Sequence, residues 1–132
     1  MEKNELQIIH ETVELYGKNR IRLMDIARDV HARLGRLSEE VIGEIADALG
    51  MARVDVRDMT SFYSYFSSEP TGKNVIRLAY SVVERMMGAE EVAKAFEDAV
   101  GVQFGETSPD GLISLEYAPC IGLSDHAPSA LV

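Results

Sequence analysis

Cys120, Ser124, Asp125 and His126 share one short stretch near the end of this 132-residue chain, and they are the side chains from which nucleophilic or metal chemistry is built. A thiolate beside an imidazole forms a nucleophile pair or part of a metal site. The competing reading is a cysteine that serves as a small buried apolar side chain. Cys120 is the single cysteine, so it forms no internal disulfide and builds no structural zinc site by itself. The C-x-x-C pair of thioredoxin-type thiol chemistry is missing, which ranks a thiol enzyme last. His10 and His31 fall in helical patterns without a histidine or cysteine three or four positions on, and read as solvated or boundary residues. Gly72-Lys73 has Ser67 where a phosphate-cradling loop needs glycine, and no strand runs into a GxGxxG turn. Nucleotide binding by this chain itself is therefore not expected.

Composition narrows the partners. Lys and Arg number 13 against 22 Asp and Glu, for a formal charge of -9 that is spread over both halves. Nucleic-acid binding needs the opposite sign to displace counterions from phosphates. No apolar run approaches the roughly 20 residues of a membrane helix, and MEKNELQ does not begin a secretory signal, so direct membrane insertion is not expected and a cytoplasmic location is.

The elements that must position these residues come in two styles. All four prolines (Pro70, Pro109, Pro119, Pro128) follow residue 69. Before them, Leu6, Ile9, Val13 and Tyr16 precede Gly17, Leu23 to Leu34 precede Gly35, and Val41 to Leu49 precede Gly50, each with helical spacing. A fourth helix is expected to take Asp55 as its N-cap and to bury Val56, Met59, Phe62, Tyr63 and Phe66, so that the aromatic run 62–66 packs in the core. Residues 1–69 thus read as a helical bundle. From 70 to 132 the pattern is a strand at Val75–Tyr80, a helix from about Gly88 to Val100 with Val92, Ala95, Phe96 and Ala99 on one face, and a strand at Leu112–Tyr117 after the Pro109-Asp110-Gly111 turn. Met86 and Met87 open that helix and would suit an adaptable interface. A third strand starts at Ser129, and the apolar end at Val132 reads as a fragment. The fold class expected is α+β, a helical bundle followed by a β-α-β-β subdomain cut short at its C-terminal strand and helix.

Four stretches carry a resemblance: Thr60-Ser61-Phe62-Tyr63-Ser64 with Phe66, Pro70 with Gly72-Lys73, Gly88-Ala89-Glu90-Glu91, and Gly105-Glu106-Thr107 with Pro109-Asp110-Gly111. The chain resembles the 24 kDa family of NADH dehydrogenases, thioredoxin-like 2Fe-2S ferredoxins that pair with an NADH-oxidising flavoprotein. In that family two cysteines follow the first strand, five positions apart, and two more lie in the later loop, four apart. The resemblance places those positions on Ala79, Glu84, Cys120 and Ser124, one thiolate of four. Pro119-Cys120-Ile121-Gly122-Leu123-Ser124-Asp125, with Pro128, also resembles the N-terminal domain of the flavoprotein subunit of cytoplasmic NAD-reducing nickel-iron hydrogenases.

The resemblance implies a structural and docking domain of an NADH-linked diaphorase module that has lost its 2Fe-2S cluster. It implies no catalytic, cofactor or metal site on this chain. FMN, NAD and iron-sulfur clusters would belong to a flavoprotein domain or subunit, with other hydrogenase or dehydrogenase subunits as further partners. The alternative is an electron-transfer subunit whose 2Fe-2S cluster is held by Cys120 with Glu84, Ser124 or His126.

Overall fold

The computed structural model describes residues 2–132, in two compact units that divide after residue 70. In the first, four helices enclose one apolar core: α1 (Lys3–Leu15), α2 (Leu23–Leu34), α3 (Glu39–Leu49) and α4 (Arg53–Phe62). A 3₁₀ turn at Arg20–Arg22 leads into α2. The spacing of apolar residues explains the packing, because Ile9 and Val13 of α1, Ile26 and Val30 of α2, and Val41 and Ile45 of α3 each line one helix face and are buried together. Burying a side chain such as Ile45 completely contributes about 1.5–3 kcal/mol. The Ser38 hydroxyl accepts from the Val41 amide to cap α3, and Gly50 (φ 60°) ends it in the left-handed conformation.

The fourth helix departs from the sequence reading. It begins at Arg53 with Ala52 before it, so Asp55 lies in its first turn, where a carboxylate still suits the positive end of the helix dipole, and is not the N-cap. The chain turns extended at Tyr63 (φ −94°, ψ 109°), which breaks the helical spacing of the aromatic run. As a result Phe62 is 78% exposed, and Tyr63 and Tyr65 are exposed too, while Met59 and Phe66 pack on the core.

The second unit is a three-stranded sheet with two helices. β1 (Asn74–Ala79) leads through α5 (Val82–Met86) and α6 (Ala89–Val100) to β2 (Ile113–Ala118), which lies parallel to β1 with Ala79 opposite Ala118. β3 (Ala130–Leu131) runs antiparallel on the other side of β1, giving the order β2-β1-β3. The sequence reading missed α5, whose five residues are too short for a periodic signal. It also rotated the buried face of α6: Ala89 and Ala93 are buried, with Val92 and Phe96 half-buried, while Ala95 and Ala99 are exposed. Alanines on several sides of a helix leave its inner face ambiguous. Among the described residues no helix is long and apolar enough to cross a membrane.

Gly72 precedes β1 and is buried against β2. Its amide donates to the Ser114 hydroxyl (2.7 Å), which also meets the Thr107 hydroxyl at 2.6 Å. A Cβ on Gly72 would stand 2.8 Å from the Ile113 carbonyl carbon and 2.9 Å from its nitrogen, and backbone in a sheet cannot give way as a side chain can. Gly72→Ala is expected to lower unfolding free energy by about 1–3 kcal/mol, the usual cost of overpacking, measured by denaturant unfolding.

Candidate functional site

The end of β1 is where the second unit concentrates its polar side chains. Because β1 is central, its last residue is flanked on both sides: the Ala79 amide donates to the Ser129 carbonyl (3.0 Å) and the Tyr80 amide to the Ala118 carbonyl (2.9 Å). The chain then turns at Ser81 into α5, and Glu84, in the first turn of that helix, faces inward with no exposed surface. On the other side, β2 runs out into a loop with Cys120, Gly122 and a 3₁₀ turn at Ser124–His126, before a cis Ala127-Pro128 bond and β3.

One hydrogen-bonded chain joins the two segments. The Ser81 hydroxyl donates to one oxygen of Glu84, and the Ser124 hydroxyl donates to the other at 2.9 Å. Ser124 Oγ also lies 3.7 Å from Cys120 Sγ, which accepts from the Gly122 amide at 3.2 Å. Glu84, Cys120 and Ser124, three of the positions singled out in the sequence, are thus brought together. Ala79, the fourth, is fully buried, and its methyl side chain offers no atom that could bind a metal.

The remaining candidates separate. Cys120 is exposed, which overturns the reading of a small buried side chain. Asp125 and His126 face each other at 3.5 Å with both side chains about three-quarters exposed, and among the described residues no bond joins His126 to Cys120. His10 is solvated, 4.0 Å from Glu44. His31 accepts from the Ser67 amide at 3.2 Å and packs against the Tyr65 and Phe66 rings, a holding role within the bundle. Among the described residues no group of three or more His, Cys, Asp or Glu is placed to hold a metal ion.

Two features here escaped the sequence reading. Ser81-x-x-Glu84 has the spacing of a capping box, the one signal that pointed to a helix start at Ser81. The other is an aromatic stack in which the Tyr117 ring lies 4.2 Å from Phe104 (interplanar 12°) and 4.3 Å from Tyr80. The Arg85 guanidinium sits over Tyr80 at 5.1 Å. On the outside of α5, Val82, Val83, Met86 and Met87 are all exposed, Met86 to 81%.

A 2Fe-2S cluster is usually held by four thiolates. The donors gathered here are one thiol, one carboxylate whose two oxygens are already engaged, and one hydroxyl, beside an alanine, and they do not fit that group.

Partial burial in the stack pushes the Tyr117 hydroxyl above its ordinary value of 10.0, and Tyr80, Glu97 and Glu90 add in the same direction. The folded state therefore favours neutral Tyr117, a preference held below the unfolded-state pKa and lost as pH rises through the folded one. Tyr117→Phe is expected to flatten the fall of stability between about pH 9 and 12, followed by denaturant unfolding at each pH.

Comparison with known proteins gives this geometry its relatives. The thioredoxin-like 2Fe-2S ferredoxin family matches residues 9–132. Over 120 residues the chain is 38% identical to the alpha subunit of the NAD-reducing hydrogenase HoxS of Cupriavidus necator, covering 91% of this chain and 20% of that one. It is 34% identical over 109 residues to NADH-quinone oxidoreductase subunit 2 of Thermus thermophilus, covering 83% of this chain and 60% of that one. A crystal structure of an NAD⁺-reducing NiFe-hydrogenase in the air-oxidized state superposes with a TM-score of 0.61 at 25% identity, over 80% of this chain and 18% of that one. The chain thus spans a fifth of the hydrogenase subunit it matches and about 60% of the Thermus subunit.

Proposed function

This chain belongs to the thioredoxin-like 2Fe-2S ferredoxin family, and we propose that it is a structural and docking domain of an NADH-linked diaphorase module, of the NAD-reducing hydrogenase type, without the family's cluster. The observation that carries this reading is the buried Glu84 carboxylate. At a position the family gives to a cysteine, both of its oxygens are taken by Ser81 and Ser124, and Ala79 supplies no ligand at another. In relatives that bind it, the cluster supplies a one-electron relay; the residues here are not arranged to hold one.

The kinship with subunits of an NAD-reducing hydrogenase and of an NADH-quinone oxidoreductase supports a place in an NADH-linked oxidoreductase. In this reading FMN, NAD and the iron-sulfur clusters belong to a flavoprotein domain or subunit, and so does catalysis. The docking face is the outer side of α5, where Val82, Val83, Met86 and Met87 stand in water; flexible methionines suit a surface that is buried only on assembly.

Iron and acid-labile sulfide, measured after anaerobic purification and attempted reconstitution, are expected near zero in folded protein, with no visible absorption. About two irons and two sulfides per chain, with reducible colour, would favour the alternative, a 2Fe-2S carrier using Cys120 with Glu84, Ser124 or His126. Within the assembled complex, Met86→Glu is expected to weaken association with the flavoprotein partner about tenfold or more, read by binding titration; unchanged affinity would remove α5 from the interface.

A further inference from the structure

We infer that Ser81, Glu84 and Ser124 form a lock that does the mechanical work of a metal cluster, tying the start of α5 to the loop between β2 and β3. The inference rests on the cluster-free reading above and adds a role for the residues found in the cluster's place. A cluster with ligands on both segments would cross-link them. Here Glu84 does so, taking one donor from three residues before it and the other from 40 residues after it.

Burial gives the link its strength. Glu84 has no exposed surface, so the Ser124 hydroxyl is not competing with bulk water for that oxygen. Lifting the loop away would strip a buried carboxylate oxygen of its donor, and closure is favoured by on the order of tenfold to a hundredfold, as for hydrogen bonds to charged groups. The loop has little else to hold it among the described residues. Cys120, Gly122, Asp125 and His126 are exposed, and its internal bonds, Gly122 amide to Cys120 Sγ and His126 amide to the Leu123 carbonyl (2.9 Å), do not reach α5. The backbone bonds from the Tyr80 amide to the Ala118 carbonyl and from the Ala79 amide to the Ser129 carbonyl fix only its two ends. The lock also sets the docking helix, since Glu84 points inward from the same five residues that present Val82, Val83 and Met86 outward.

The test is residue-resolved amide hydrogen exchange, by NMR, on this chain and on Ser124→Ala, Ser124→Thr, Glu84→Gln and the Ser124→Ala/Glu84→Gln double variant. The Gly122 and His126 amides are expected to exchange about tenfold faster in Ser124→Ala and to recover in Ser124→Thr, which restores the hydroxyl. Ile76 and Leu78 in the β1–β2 ladder should keep their protection. The double variant should exchange no faster than the quicker single one, because both changes act on the same link: glutamine keeps an acceptor oxygen for Ser124 but gives up the second acceptor that meets Ser81. Unchanged loop exchange in Ser124→Ala, or effects that simply add, would overturn the lock. If Glu84→Gln does not fold, the alanine and threonine pair at Ser124 decides alone. Iron analysis of the unsubstituted chain keeps the two readings apart: iron uptake defeats the cluster-free reading, whereas iron-free protein with a loop indifferent to Ser124→Ala defeats only the lock.

Discussion

A carboxylate removed from water must be met by donors, and in the second unit that demand is made by Glu84. One oxygen is met by a hydroxyl three residues before it and the other by a hydroxyl 40 residues after it, so the solvation of a single side chain joins the backbone bond from Tyr80 to Ala118 in tying the chain after β1 to the chain after β2. The surroundings follow from it. Ser81 can reach Glu84 because α5 starts between them, and Ser124 can because the loop after β2 folds into a 3₁₀ turn that carries its hydroxyl inward. A partly satisfied carboxylate at this depth would cost more than an apolar replacement, so such an arrangement is stable only when complete.

The sheet makes the meeting possible. With β1 in the centre, the exit of β1 lies between the exit of β2 and the entry of β3, and side chains from both connections converge at one end of three strands. Gly72 and Ser114 secure the opposite end, where the approach to β1 runs so close to β2 that a single added carbon meets backbone. The helical unit is held differently, by an apolar core with few polar demands, and its histidines illustrate the contrast. His31 receives one amide and packs against two rings, which holds the chain after α4 without creating a reactive centre, while His10 stays in solvent.

The helices α1 to α3 were legible because their apolar spacing and glycine ends agree, β1 because an apolar run follows a polar turn, and β2 because alternation and turn residues agree. Legibility failed where one of the two signals was absent. The aromatic run 62–66 keeps helical spacing in sequence, yet the backbone leaves the helix at Tyr63, and no residue there announces the change. In α6 the alanines carry too little hydrophobic contrast to identify the buried side. α5 is shorter than two turns, so only the Ser81-x-x-Glu84 spacing marked it. Of the site, sequence could name Glu84, Cys120 and Ser124 through resemblance, but burial is a property of the folded neighbourhood. No reading of composition distinguishes a glutamate in solvent from one with no exposed surface.

That distinction decides what the family likeness means for this chain. The framing residues through which the sequence resembles the family, such as Gly72 before β1 and the Pro109-Asp110-Gly111 turn before β2, shape backbone; they serve the fold whether or not a metal group is bound. The positions that the resemblance assigns to ligands answer to a separate requirement, the donor set. Of the four positions that the resemblance marks, Ala79 is fully buried, and Glu84 and Ser124 share a hydrogen bond between two segments. Polar satisfaction of this kind is a positive feature of the sequence, because the fully buried Glu84 carboxylate is met by the half-buried hydroxyls of Ser81 and Ser124. The fold is thus shared across the thioredoxin-like 2Fe-2S ferredoxin family, while the local energetics at the end of β1 are set by hydrogen bonds among Ser81, Glu84 and Ser124.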